Sequence, residues 1–133
     1  MRVFLDANIL FSAADSQSAT RQLLDEVLER AEVVTNLHAL EEARRNLQIK
    51  RPQHLDGLAA IQRRIAMTAA FDNRIQAQLP QEDIPVVAGA SGSGCSHLWT
   101  SDRRHFGRYY GKKIGGVLVV SSIMLADLLN EAR

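Results

Sequence analysis

The sequence predicts an α/β fold: three layers, with a central parallel sheet of about five strands and helices on both faces. Three observations carry this. Short apolar runs rich in β-branched residues (Val3-Phe4-Leu5, Val33-Val34-Thr35, Val117-Leu118-Val119-Val120) have the length and composition of strands buried on both faces. Segments with apolar residues at helical spacing lie between them, and such alternation implies a parallel sheet. The 133 residues, 46% of them apolar, suffice for one core, so one domain is expected over 1–133.

Taken in order, the first strand is expected over Arg2 to Asn8, with Asp6 closing its apolar run. A carboxylate at the C-terminal end of a parallel strand lies on the sheet edge where α/β proteins bind ligands. Asp6 also suits the N-cap of a following turn or helix. After the polar turn Asp15-Ser16-Gln17-Ser18, Ser18 caps a helix from Ala19 to Arg30 that buries Leu23, Leu24, Val27, Leu28 and Ala31. Glu32 to Asn36 forms the second strand. A helix over Leu37 to Gln48 follows, with Leu40, Ala43 and Leu47 facing the core. Glu41 and Glu42 on it point about 100° apart. One can face the Asp6 end of the sheet while the other faces solvent or pairs with Arg45.

Pro52 separates this helix from one over His54 to Arg64, and Ile65 to Thr68 reads as a third strand. A short helix is expected at Asn73 to Gln78. Asp83 is placed as an N-cap or first-turn acid of a helix weakened by Gly89 and Gly92 and ending near Gly94. Ser96 to Thr100 is the fourth strand, with Asp102 at its end repeating the opening pattern. Arg103 to Lys113 is the one basic, aromatic-laced stretch. After the final strand, Ser121 or Ser122 caps a helix to Glu131.

Lys and Arg number 16 against 15 Asp and Glu, so the chain is no globally basic nucleic-acid coat, though a local patch remains open. The single Cys95 cannot form an internal disulfide, which fits a reducing compartment, and it reads as a packed small residue. With no leader-like start and no apolar run of bilayer length, a cytoplasmic protein without a membrane span is expected. Trp99 reads as core, and His38 as a capping or packing residue.

In a parallel sheet all strand C-termini share one edge, so Asp6, Glu42, Asp83 and Asp102 can converge on one cleft. Uncompensated carboxylates repel, so such a cluster calls for a divalent cation. Hard oxygen donors with few histidines favour Mg²⁺ or Mn²⁺ over Zn²⁺.

The chain resembles the PIN-domain ribonucleases. The resemblance runs along the whole sequence through Val3-Phe4-Leu5-Asp6-Ala7-Asn8, Ala39-Leu40-Glu41-Glu42-Ala43, Asp83-Ile84-Pro85-Val86-Val87-Ala88 and Leu98-Trp99-Thr100-Ser101-Asp102-Arg103-Arg104-His105-Phe106. It implies a PIN-like three-layer fold and a metal-dependent endoribonuclease, a hydrolase of RNA phosphodiester bonds. Asp6, Glu42, Asp83 and Asp102 match the family's acidic metal-binding and catalytic positions. Glu42 is preferred to Glu41 because the family's acid immediately precedes the small residue matched by Ala43. Many small stand-alone members are toxins of toxin–antitoxin pairs, which implies an antitoxin protein and a homodimer as partners. Where many relatives carry another acid, Asn or Ser after the last Asp, this chain has Arg103, Arg104 and His105. Those three and Asn8 are the expected substrate-binding residues, with Arg108, Lys112 and Lys113 as further phosphate contacts and Tyr109 and Tyr110 as stacking platforms. A non-catalytic PIN-like module binding RNA or protein is the alternative. A phosphatase with Asp6 as nucleophile is weaker, since Asn8 stands where Asp-x-Asp is needed.

Overall fold

A computed structural model describes residues 1–75 and 79–132. Among these, six strands form one sheet: β1 (Arg2–Leu5), β2 (Glu32–Asn36), β3 (Ala66–Thr68), β4 (His97–Trp99), β5 (Lys113–Ile114) and β6 (Val117–Val120). Their order is β3-β2-β1-β4-β6-β5, parallel throughout except for β5 against β6. β1 is central, paired through Val3 with Val33 on one side and His97 on the other, and Val3, Phe4 and Leu5 are wholly buried.

The sheet thus has six strands where about five were expected. The additional β5 is joined to β6 by Gly115-Gly116, both at positive φ (57° and 81°), which suits a two-residue hairpin turn that only glycine enters freely.

The helices are α1 (Ala7–Ala13), α2 (Ala19–Arg30), α3 (Leu37–Lys50), α4 (Leu55–Gln62), α5 (Ile84–Gly92), α6 (Arg103–Phe106) and α7 (Ser122–Glu131). The chain leaves β1 towards β2 and β3, then crosses back to β4 and β6. Right-handed crossovers running in opposite directions across a sheet put their helices on opposite faces. α1 to α4 pack on one another, and α7 packs on α2. α5 packs against β2, β4 and β6. α4 approaches α1 so closely that a Cβ on Gly57 would lie 1.9 Å from the carbonyl oxygen of Ala14.

β1 is shorter than expected: it ends at Leu5, and α1 begins at Ala7 with Asp6 as its N-cap. The local apolar density of Ile9-Leu10 serves helix packing rather than strand extension. Ser18 and Ser121 cap α2 and α7 as expected, each accepting a backbone N–H three residues on. α3 is capped by Asn36, which also donates to the Pro85 carbonyl, so His38 neither caps nor packs but lies exposed. Glu41 pairs with Arg44 rather than Arg45. The helix expected at Asn73 to Gln78 begins as a 3₁₀ turn, Asn73–Ile75, and its remainder lies outside the described residues. Cys95 and Trp99 are buried, and the Trp99 indole donates to Ser122 Oγ. No helix among the described residues is long and apolar enough to cross a membrane.

Candidate active site

Strand order reverses between β1 and β4, and open α/β sheets bind ligands in the crevice beyond the strand ends at such a point. Asp6 follows β1 there and Asp102 follows β4. A cleft of about 350 Å³ opens between them, lined by Asp6, Glu42, Asp83 and Asp102 together with Asn8, Glu82 and His105.

Asp6 is 6% exposed. Its Oδ1 accepts the Ala7 N–H (2.8 Å), and its Oδ2 accepts the Thr100 hydroxyl (2.7 Å) and the Asn8 amide (3.1 Å). It therefore caps α1 and faces the cleft at once, so both readings of this residue describe it. Burial raises its pKa above the ordinary carboxylate value, and the charges of Glu42 and Asp102 push the same way against the hydrogen bonds from Thr100 and Ala7.

Asn8 is engaged at both ends. Its oxygen accepts the Ser101 N–H (2.9 Å) and hydroxyl (3.0 Å), and its amide donates to Asp6. Asn8 thus ties the end of β1 to the loop after β4. Asp102 caps α6 by accepting the His105 N–H through Oδ1 (3.1 Å), and its own N–H donates to Thr100 Oγ1 (3.1 Å).

Asp83 occupies the N-cap position of α5, but its side chain makes no capping bond. The expected role as a capping acid is replaced by a tertiary one: Oδ1 pairs with His105 Nδ1 at 3.0 Å. Oδ2 is buried with no hydrogen-bond partner among the described residues. Burial raises the Asp83 pKa, opposed by His105. His105 Nδ1 also lies 3.4 Å from Asp102 Oδ2, and Nε2 lies 3.6 Å from Glu82 Oε1. These carboxylates raise the His105 pKa, the hydrogen bond to Asp83 contributing most.

Glu42 is the member of the Glu41-Glu42 pair that lines the cleft. Arg103 borders a separate hollow with Ser101, Tyr110 and Ser121, and Arg104 is exposed outside the acidic cleft. Tyr110 donates its hydroxyl to the Thr100 carbonyl (3.0 Å), and the Arg108 guanidinium lies 5.0 Å from the Tyr109 ring centre. Sequence reasoning missed Glu82, Thr100 and Lys50. Glu82 was signalled only by adjacency to Asp83, and Thr100 by its place just before the loop carrying Asp102.

Solved structures share this fold. A chain of VapBC2 from Rickettsia felis, bound to a promoter DNA fragment, superposes with a TM-score of 0.68 at 14% identity, covering 91% of this chain and 98% of that one. The fold is PIN-like. DNA-bound VapBC from Salmonella typhimurium gives 0.65 at 15% identity, over 92% of this chain and 98% of that one. VapC20 from Mycobacterium tuberculosis, described as a Sarcin-Ricin loop cleaving toxin, gives 0.56 at 14% identity, over 77% and 91%. No protein-family model and no curated protein matches the sequence.

The donor chemistry of the PIN-like cleft fits a hard divalent cation: carboxylate oxygens, one of them buried and unpartnered. Among the described residues no group of three or more His, Cys, Asp or Glu side chains is arranged so that it could hold a metal ion.

Proposed function

We propose that this chain is a divalent-cation-dependent endoribonuclease, the toxin of a toxin–antitoxin pair, acting through Asp6, Glu42, Asp83 and Asp102. The observation that carries the reading is the excess of negative charge facing one cleft, with Asp83 Oδ2 buried and without a hydrogen-bond partner among the described residues. Those four carboxylates would hold Mg²⁺ or Mn²⁺. When bound, the cation supplies positive charge against the scissile phosphate and lowers the pKa of a water beside it. Thr100 and the Ala7 N–H hold the Asp6 carboxylate in one orientation, and Asn8 and Thr100 fix the loop that presents Asp102. His105, which lines the cleft and whose pKa its carboxylate neighbours raise, would give a proton to a leaving oxygen.

The toxin assignment is supported by likeness of fold to chains of VapBC complexes and to the loop-cleaving VapC20. It carries with it an antitoxin and a second copy of this chain as partners, and a cytoplasmic setting. Leu37 and Phe71, exposed on the side of the sheet where β3 forms the edge, offer apolar surface to a protein partner.

The second reading, a PIN-like module that binds without cleaving, is favoured by His105, which brings a cationic group among the acids where relatives carry a further donor. One experiment separates the two. Wild type and Asp6→Asn are incubated with single-stranded RNA in Mn²⁺ and in chelator, with circular dichroism to check folding. The nuclease reading expects Mn²⁺-dependent cleavage that falls by about 10²- to 10⁴-fold in Asp6→Asn. Equal cleavage by the folded variant rejects the site. Tight RNA binding with no cleavage by wild type establishes the second reading.

A further inference from the structure

We propose that the acidic cleft continues as a nucleotide track along α3, in which Lys50 holds a backbone phosphate and Phe11 stacks on an unpaired base beside the scissile bond. This rests on the nuclease reading and adds the residues that hold the RNA strand.

Glu42, Asn46 and Lys50 are four residues apart and line the same cleft. That spacing places them in one row on the helix surface, one per turn. Lys50 is eight residues beyond Glu42, about 12 Å along the axis at 1.5 Å per residue. Side chains lean towards a helix's N-terminus, which carries the ammonium back towards Asn46. α1 packs on α3, and both helices start at strand ends on the same sheet edge. Phe11 and Ser12, a turn into α1, line the cleft opposite this row, with the Phe11 ring half-buried.

The charge distribution gives the row its role. Among the described residues five carboxylates line the cleft, those of Asp6, Glu42, Glu82, Asp83 and Asp102, and Lys50 is the only lysine or arginine lining it. It forms no ion pair among the described residues. A phosphodiester strand entering so acidic a cleft needs a cationic contact on its path, and Arg103 and Arg104 lie outside it. Lysine in a helix's last turn also suits the dipole, and Phe11 also packs on the core. Neither fact requires both to face the cleft that holds the carboxylates. Together they present one cation, one aromatic face and, in Asn46, one amide able to donate and accept, the set that binds a single-stranded nucleotide.

The test uses the full chain carrying Asp6→Asn, which should hold RNA while cutting it far more slowly, with Mn²⁺ and fluorescein-labelled single-stranded RNA followed by anisotropy across a salt series. Lys50→Ala should lower the log–log salt slope by about 0.7, the value for one single-strand phosphate contact. Arg63→Ala, an exposed charge outside the cleft, removes the same charge and should leave the slope unchanged. Phe11→Leu, which removes the aromatic face but keeps an apolar side chain against the core, should weaken binding about five-fold or more with no change in slope. In the cleavage-competent chain with Asp6 intact, Lys50→Ala should raise KM more than it lowers kcat. Equal slopes for Lys50→Ala and Arg63→Ala overturn the phosphate contact, and unchanged affinity in Phe11→Leu overturns the stacking. If wild type neither binds nor cuts RNA, the nuclease reading itself fails. If wild type cuts RNA while Lys50→Ala matches Arg63→Ala, only the track fails.

Discussion

Asp72 and Asp83 are the same residue type at nearly the same burial, 9% and 7% exposed, yet their surroundings are opposite. Asp72 Oδ1 accepts the Arg74 N–H (3.0 Å) and Nε (2.9 Å), and its Oδ2 accepts Arg74 Nη2 (3.0 Å) and the Ser91 hydroxyl (2.7 Å). Those bonds, led by the Arg74 side chain, hold its carboxyl well below the usual carboxylate range. Asp83 has one histidine contact and one oxygen without a partner among the described residues, and burial pushes its carboxyl pKa up. Burial alone therefore does not distinguish a structural carboxylate from one held ready for a ligand. The partners do. Asp72 is a complete staple joining the chain before α5 to α5 itself through Ser91 and through its own N–H to the Ala88 carbonyl (3.0 Å).

The contrast breaks most visibly in activity. Asp83→Asn should cost about 10²-fold or more in Mn²⁺-dependent RNA cleavage, while Asp72→Asn should retain wild-type turnover per folded molecule. A gel assay normalised to folded protein reads both, and equal losses would erase the functional distinction.

Stability should move in opposite directions. In chelator at pH 7, Asp83→Asn should raise the melting temperature by removing a buried, repelled charge, and Asp72→Asn should lower it by a few degrees. Mn²⁺ at 100 times its Kd should stabilise wild type by about 2.7 kcal/mol, with a smaller shift for Asp83→Asn. The pH dependence follows from linkage. Asp83, raised in the folded state, binds more protons folded than unfolded, so its contribution falls as pH rises from about 4 through its folded pKa. Asp72, depressed when folded, contributes fully above its unfolded pKa and loses that contribution as pH falls towards its folded value. Melts of the two variants against wild type from pH 3 to 8 should therefore diverge with opposite slopes, and parallel curves would contradict the assignment.

The smallest effect sharpens the structural half. Ser91→Ala removes one of the Asp72 hydrogen bonds and should cost about 1 kcal/mol in denaturant unfolding, leaving cleavage intact. A cost near zero would show that Arg74 alone satisfies Asp72.

The elements were largely legible in the sequence because periodicity, strand composition and capping are local. Ser18, Ser121 and the span of α2 follow from residues within a few positions of one another. Asp6 and Asp102 were legible because each closes an apolar strand. β5 was overlooked although Gly115-Gly116 marks its hairpin, since two residues are too few to show alternation. Residues alone left Glu41 and Glu42 open, because adjacent helical positions differ only by rotation. Packing of α3 on α1 selects Glu42 for the cleft, and Glu41 pairs with Arg44.

What the sequence by itself determined, then, is the alternating α/β order, its buried strands, the helix starts and the acids at the strand ends. Only the tertiary structure decided that Asp83 faces His105 across 22 positions, that Asn8 joins Ser101 across 93, and that Lys50 and Phe11 share the acidic cleft. The physical reason is range. Backbone propensity and capping act within a turn or two of chain, whereas the charge environment of a buried group depends on whatever the crossovers bring beside it, and those neighbours leave no periodic trace in the sequence.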